Sequence, residues 1–290
     1  RSTPSNSSAA SDVYKRQVYL NGKCSSDFGD IRFTGSDGST QLDYWIEDKV
    51  DGNYAVFWVK VPSIASSPHT TTIYIYYGKS GASTTSNGEA TFQFFDDFEG
   101  SGLNASRWYI SSRSYKVSGG ILTVKLGGIG LQNPLSYNLQ DGYMVEARIR
   151  FDDNVGGYSG TIPDLSSSRF TASGNGNADA TILYMREGGS RAVAYWIGDG
   201  STPSYNVGTG YTGWTSSEGT WYITGVSVYG GTVKLWKDYA TLKTFTGITW
   251  HKNLRYISLG AFHGDSYYNI QDTSYDWVRI RKYVEPEPSH

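Results

Sequence analysis

The chain is short of nearly everything that would mark a redox, metal-thiolate, nucleic-acid-binding or membrane-spanning protein. Its single cysteine, Cys24, can form neither an internal disulfide nor a thiolate cluster. No histidine or other base stands near it in sequence, so Cys24 reads as a small buried hydrophobe rather than a reactive thiol. Charged residues are 18% of 290 and the net charge is −2, which gives no electrostatic case for nucleic acid or an anionic membrane. No apolar run approaches the roughly 18–20 residues that span a bilayer. No apolar core of a secretory leader is visible at the N-terminus. Sustained helical periodicity is missing throughout. His69, His251, His263 and His290 show no zinc spacing and no nucleophile motif, so each reads as a loop or surface residue. The glycine-rich SGNGNAD is followed by no helix and is a turn rather than a phosphate loop.

What the chain has in abundance is glycine (35), tyrosine (24), serine and threonine. That mixture suits strands joined by tight turns, because Tyr and Thr fit a pleated surface and Gly supplies positive φ. The segment DIRFTGSDGSTQLDYWIED reads as two strands about the turn Ser36-Asp37-Gly38. Along Tyr54 to Pro62, Ala55, Phe57, Val59 and Val61 share one face, with Val56, Trp58 and Lys60 on the other. TTTIYIYYG is a β-branched, aromatic strand. Lys79 to Thr91, small and polar, reads as a loop or linker. Strand signals then resume at TFQFFDDF and run through ILTVKL, YMVEARIRF, TILYMRE, RAVAYWIG, WYITGVSVYGGTVKLWKD, YISLGAF and YDWVRIRKY, with Gly230-Gly231 as a hairpin turn. Many short strands at this spacing imply an all-β sandwich or jelly roll. At the start, Ser7 to Gln17 (SSAASDVYKRQ) resembles a translated sequencing-adapter artefact. Residues 1–17 are therefore left out of fold reasoning and expected to pack poorly. VEPEPSH at the other end is a proline-spaced tail.

Two resemblances give this pattern a family context. GDIRF, the DG turn, YWIE, WVKVP and IYIYYG, in that order between Gly22 and about Gly100, resemble the domain of unknown function 2341 family. That family occurs in exported, multi-domain microbial proteins. Its earlier strands would fall where the foreign-looking segment sits, so the resemblance implies an incomplete N-terminal unit whose unpaired edge strand invites another chain. From Phe92 to Tyr283, FFDDFEG, SRWY, VSGGILTV, GTWYITGVSV and YDWVRIRKY resemble the concanavalin A-like lectin/glucanase fold, shared by laminin G-like domains and glycoside hydrolase family 16. The expected architecture is all-β: a small partial β-sandwich over 18–91, linker included, a concanavalin A-like jelly-roll β-sandwich over 92–284, and a tail over 285–290.

Family 16 hydrolases carry two glutamates on one strand, spaced E-x-D-x-x-E, so that alternate residues aim both carboxylates at the sugar. That pair is absent. Glu146 has Arg148 and Arg150 at its same-face positions, Glu187 stands alone, Glu218 sits in a loop, and Asp152 and Asp153 are adjacent. No catalytic residue is therefore assigned.

The acids of FFDDFE have a different expectation. Relatives of this fold hold a structural calcium with an aspartate of the last strand and residues near the first. The resemblance thus implies a Ca²⁺ site of Asp276 with Asp97 or Glu99 and backbone carbonyls. The alternative is that these acids cap strand ends, pair with Arg279 or Arg281, or face water.

For a sugar, aromatic platforms beside polar groups are the candidates: Tyr211 and Trp214 in the loop GTGYTGWTSSEG, and Trp196 with Asp199 at the end of RAVAYWIGDG. Trp108 and Trp221 read as core positions.

The expectation for function is a non-catalytic carbohydrate-binding or adhesion module, lectin-like, of an exported microbial protein at the cell surface or outside the cell. Its partner is a polysaccharide or glycan; nucleic acid and membrane insertion are not expected. Two competing readings are a structural surface or filament subunit that self-associates through strand edges, and a divergent polysaccharide-degrading enzyme.

Overall fold

The structure, a computed structural model, describes residues 5–6, 18–65, 69–110, 114–125, 128–153, 158–169, 180–187, 189–201, 206–260 and 272–284. The chain divides into two compact units, one running to Phe95 and the other spanning Asp96–Tyr283.

The first unit contains β1 (Ser5–Asn6), β2 (Arg32–Thr34), β3 (Gln41–Leu42), β4 (Tyr44–Val50), β5 (Tyr54–Val59), β6 (Thr72–Tyr76) and a four-residue helix α1 (Gly88–Thr91). One sheet has the order β1-β6-β2-β3, and β4 pairs with β5 in a separate hairpin. The expected DG turn is present. Asp37 Oδ1 accepts the N–H groups of Ser39 and Thr40, and Gly38 takes φ 71°. Phe28, Ile31, Phe33, Leu42, Tyr44 and Ile73 form the core, against which Ala55, Phe57, Val59 and Val61 pack. The face read from β5 is therefore the buried one.

Its opposite face is also used. Trp58 Nε1 donates to Glu47 Oε2, and Trp45 stacks edge-on against Phe92 and Phe95 at 5.7 and 4.9 Å. The first phenylalanines of the FFDDFE region thus belong to this unit. In the stretch read as a linker, Asn87 caps α1 by accepting the Ala90 N–H, and a Cβ on Gly88 would lie 2.2 Å from the Phe95 ring. Only glycine admits that approach. Of residues 1–17, only β1 is described; it pairs antiparallel with β6, Ser5 opposite Ile73. The rest of that segment and the tail 285–290 lie outside the described residues. Cys24 is half-buried, its thiol pushed up by burial and by Asp30, in keeping with an unreactive side chain.

The boundary falls within β7 (Phe94–Asp96), and the second unit continues with β8 (Trp108–Ile110), β9 (Ser114–Ser118), β10 (Ile121–Lys125), β11 (Gly128–Leu131), β12 (Asp141–Phe151), β13 (Tyr158–Ser166) and β14 (Ala180–Glu187). Then come β15 (Ala192–Asp199), β16 (Gly208–Thr215), β17 (Trp221–Tyr229), β18 (Thr232–Lys237), β19 (Ala240–Phe245), β20 (Tyr256–Gly260) and β21 (Thr273–Lys282). They form an eight-stranded sheet, β19-β18-β17-β12-β21-β10-β9 with β7 on β21, and a seven-stranded sheet, β16-β15-β14-β13-β20-β11-β8. The opening strand does lie beside the last one.

Period-two alternation decides what the sheets bury between them. Val145, Ala147 and Ile149 from one sheet and Leu165, Ile182 and Ile257 from the other are fully buried. Tyr195 meets Phe245, and Trp214 meets Tyr222, each at 4.9 Å. The segment GTGYTGWT, read as a loop, is strand β16. Three glycines interrupt its alternation, which is why no strand pattern showed.

Candidate carbohydrate-binding face

With Leu165, Ile182, Ile197 and Ile257 turned inward, their neighbours turn to the outer face of the seven-stranded sheet. Three cross-strand rows follow from the registers. Tyr109, Gly130, Ser258 and Asp164 stand in one. Tyr256, Ser166, Thr181 and Gly198 stand in the second. Leu183, Trp196 and Thr209 stand in the third, with Tyr211 two residues further along β16. The centre of this face combines small polar residues with the fully buried Leu183, and aromatic side chains flank it. Asp164, Ser166, Thr181 and Ser258 are buried; Tyr109, Trp196 and Tyr256 are half-buried; Tyr211 is 52% exposed. Arg169 lies 4.5 Å over the Tyr109 ring.

Asp164 owes its position to a break in the ladder. Between Thr161 and Leu165, β13 carries an extra residue relative to β14, with Pro163 inside the irregularity. Asp164 Oδ1 accepts the Tyr184 N–H at 2.9 Å, and Oδ2 is buried without a hydrogen-bond partner. Burial pushes this carboxyl well above the usual aspartate range, and the Tyr184 N–H pulls the other way and loses. No neighbouring charge contributes to the shift. Sequence reasoning missed Asp164 altogether; a proline inside an alternating strand was the one signal for it.

Residues 27–111 match a domain of unknown function, DUF2341. No curated protein matches the chain. Among solved structures, one reported as "Prominent members of the human gut microbiota express endo-acting O-glycanases to initiate mucin breakdown" is 13% identical with a TM-score of 0.52, covering 67% of this chain and 100% of its own. The endo-beta-1,3-glucanase from Pyrococcus furiosus is 14% identical with a TM-score of 0.49, over 67% of this chain and 95% of its own. A pseudo beta-1,3-glucanase of Mycobacterium tuberculosis is 16% identical with a TM-score of 0.48, over 68% and 100%. The second unit has the concanavalin A-like jelly-roll fold.

Within this jelly roll, the four residues expected to bind a ligand separate. Trp196 and Tyr211 share the outer face just described. Trp214 does not: it is 9% exposed, stacks on Tyr222, and lies under Lys237 Nζ at 5.5 Å. It closes the core between the sheets because strand alternation turns it inward. Asp199 is 8% exposed and committed to its loop, accepting from Ser201 N, Ser201 Oγ and Asn206 Nδ2. Burial raises its pKa, but those hydrogen bonds and nearby His251 outweigh it and hold the carboxyl below the usual range. Trp108 is core, as expected, at 1% exposed. Trp221 is not: opposite Arg150 in register, it is half-buried on the outer face of the eight-stranded sheet.

The acids of FFDDFE hold structure. Asp96, which sequence reasoning passed over, accepts the Phe98 N–H and, at 2.7 Å, the Trp108 Nε1–H. Phe98, at φ 55°, turns the chain so that its ring packs on Trp108. At the expected calcium site one carboxylate already has a cation beside it. Asp276 is paired with Arg148, Glu99 is exposed with its carboxylate against Gly120, and Asp97 is half-buried. Among the described residues, no three His, Cys, Asp or Glu side chains gather closely enough to hold a metal. Calcium needs six to eight oxygens, and a guanidinium on one of the carboxylates opposes a second cation there.

The glutamates are likewise spoken for. Glu146, 1% exposed, accepts from Arg279 Nε and Arg281 Nε, both at 2.9 Å. Burial pushes its pKa up, but the two guanidiniums outweigh this and hold the carboxyl low. Glu218 pairs with Arg186 and Arg191. The Glu187 side chain, His263 and His290 lie outside what is described; His69 is exposed.

Proposed function

We propose that this chain is a non-catalytic carbohydrate-binding module of an exported microbial protein, working at the cell surface or outside the cell. One observation carries the reading. Among the described side chains, the outer face of the seven-stranded sheet carries aromatic rings around buried hydroxyls and the buried carboxyl of Asp164, whose raised pKa comes from burial. A retaining glycosidase needs two carboxyl groups about 5 Å apart, an inverting one about 6.5–9.5 Å. Burial raises the Asp164 pKa, and the sequence carries no E-x-D-x-x-E pair. Trp196, Tyr211, Tyr256 and Tyr109, half-buried or exposed, supply flat faces for sugar C–H groups, and the polar side chains between them lie buried beneath. The weak likeness to glucanases supports the fold of such a module and leaves its ligand to experiment. No described helix is long and apolar enough to cross a membrane.

A polysaccharide array with tryptophan-fluorescence readout tests the proposal. We expect at least one glycan to shift the emission, and Trp196→Ala and Tyr211→Ala to abolish the shift without moving the melting temperature by more than a few degrees. Hydrolysis of laminarin, agar or alginate that disappears in a single Asp or Glu variant overturns it. So does the absence of any glycan signal with polymer growth by light scattering, which supports assembly through strand edges instead.

A further inference from the structure

The eight-stranded sheet has an outer face of its own, and one stretch of it is organised. Five residues stand directly opposite one another on consecutive strands: Trp221 on β17, Arg150 on β12, Ser274 on β21, Thr123 on β10 and Lys116 on β9. At about 4.8 Å per strand this row is straight and roughly 19 Å long, running perpendicular to the strands. Side chains along it hold each other, with Ser274 fully buried beneath its neighbours, so that Arg150, Asp152, Thr123 and Lys116 form the accessible part. Arg150 Nε donates to Asp152 Oδ1, Ser274 Oγ donates to Asp152 Oδ2, and Thr123 Oγ1 bonds Ser274 Oγ at 2.9 Å.

The aromatic end of the row is built as well. Arg148 and Arg150 bring their guanidinium carbons to 5.0 and 4.8 Å from the Trp221 ring centroid. Contact with the indole fixes both arginines. Arg148 donates one Nη1–H to Asp276, and Arg150 spends its Nε–H on Asp152, while their side chains remain 40% and 30% exposed. Each guanidinium has five N–H donors, so most of them stay turned to solvent beside carboxylate acceptors that are themselves 29% and 23% exposed.

We infer that this row is a second carbohydrate site, and that its occupant is an uncharged, hydroxyl-rich polysaccharide chain lying across the strands. The inference rests on the carbohydrate-binding reading above. Charge selects the occupant. Both arginines are matched by Asp276 and Asp152, so the centre of the row is electrically balanced and gives a polyanion little net attraction. What it does offer is donor next to acceptor, twice. That is the complement of a vicinal diol, whose hydroxyls each give and take a hydrogen bond. Trp221 anchors the two guanidiniums at one end, and Lys116, exposed, offers a donor at the other.

Because this row and the face carrying Trp196 lie on opposite sides of one sandwich, two sites make the module bivalent. It would bridge polysaccharide chains, and avidity would exceed the affinity of either site.

Affinity electrophoresis of the full chain through gels containing laminarin, barley β-glucan or alginate tests this. The variants are Trp221→Ala, Arg150→Gln and Trp196→Ala, with circular dichroism melts run alongside. In the neutral gel that retards the wild type, Trp221→Ala and Arg150→Gln are each expected to weaken retardation at least threefold, and Trp196→Ala to remove a separate share. If Trp221→Ala unfolds, Arg150→Gln, which removes the guanidinium and keeps a polar side chain, decides alone. Unchanged retardation in Arg150→Gln, with loss in Trp196→Ala, overturns the second site and leaves the first. Preference for alginate that vanishes with added salt overturns the uncharged occupant. No retardation in any gel overturns both readings together.

Discussion

Asp164→Asn is the most informative single change. Burial holds the Asp164 carboxyl protonated well past the pH at which an unfolded aspartate, near 3.9, gives up its proton. The native chain therefore binds one more proton than the unfolded chain over that window, and stability falls as pH rises. The slope is about 1.4 kcal/mol per pH unit for as long as the native state keeps its proton. Asparagine removes the linkage and keeps the bond, since its side-chain oxygen still accepts the Tyr184 N–H now held at 2.9 Å. The variant should thus gain on the wild type as pH rises through that window, with the difference growing for as long as the native carboxyl keeps its proton. In a unit of this size each kcal/mol gained raises the melting temperature by about 2–4 °C. Urea titrations at pH 5, 6 and 7, followed by tryptophan fluorescence, read the difference directly, because every other titrating group cancels between the two proteins. A difference that stays flat across those pH values would refute the argument: Asp164 would then be ionised in the native state, and the polar face would carry a charge.

Three further outcomes follow from the contacts described. Asp96→Ala leaves the buried Trp108 indole N–H without its acceptor and should cost about 1–3 kcal/mol in denaturant titrations. Glu146→Ala leaves Arg279 and Arg281 as uncompensated buried charges and should cost about 3–5 kcal/mol. In the wild type, the depressed Glu146 pKa means its stabilisation is present above the ordinary carboxylate range and is lost only as pH falls through that lowered value, which an acid titration followed by circular dichroism checks. Chelation with EDTA should leave the melting temperature unmoved, since Asp276 is already paired with Arg148; a drop of several degrees would restore the calcium site.

Much of the fold was legible because β structure writes itself locally. Alternation in YMVEARIRF, WYITGVSV and YDWVRIRKY reflects one buried and one exposed face, and those segments became β12, β17 and β21. The turns at Asp37-Gly38 and Gly230-Gly231 follow from backbone angles that glycine alone takes cheaply. The two resemblances added the order of the units. Strands that hid were those whose pattern glycine or proline erased, β16 and β13 above all.

The site was far less legible, for a physical reason. Alternation says that successive residues face opposite ways; it does not say which way is inward. That depends on which sheet packs against which, a property of contacts many tens of residues apart. The tryptophans show it: Trp214, read as a platform, closes the core on Tyr222, while Trp221, read as core, lies outside against two arginines. Charge pairing is equally non-local, since Asp276 meets Arg148 and Glu146 meets Arg279 and Arg281 only across strands. From its own order of residues this protein was bound to be a disulfide-free β-sandwich rich in rings and hydroxyls. Which rings meet solvent, and which acids remain without a counter-charge, only the stacking of the two sheets decided.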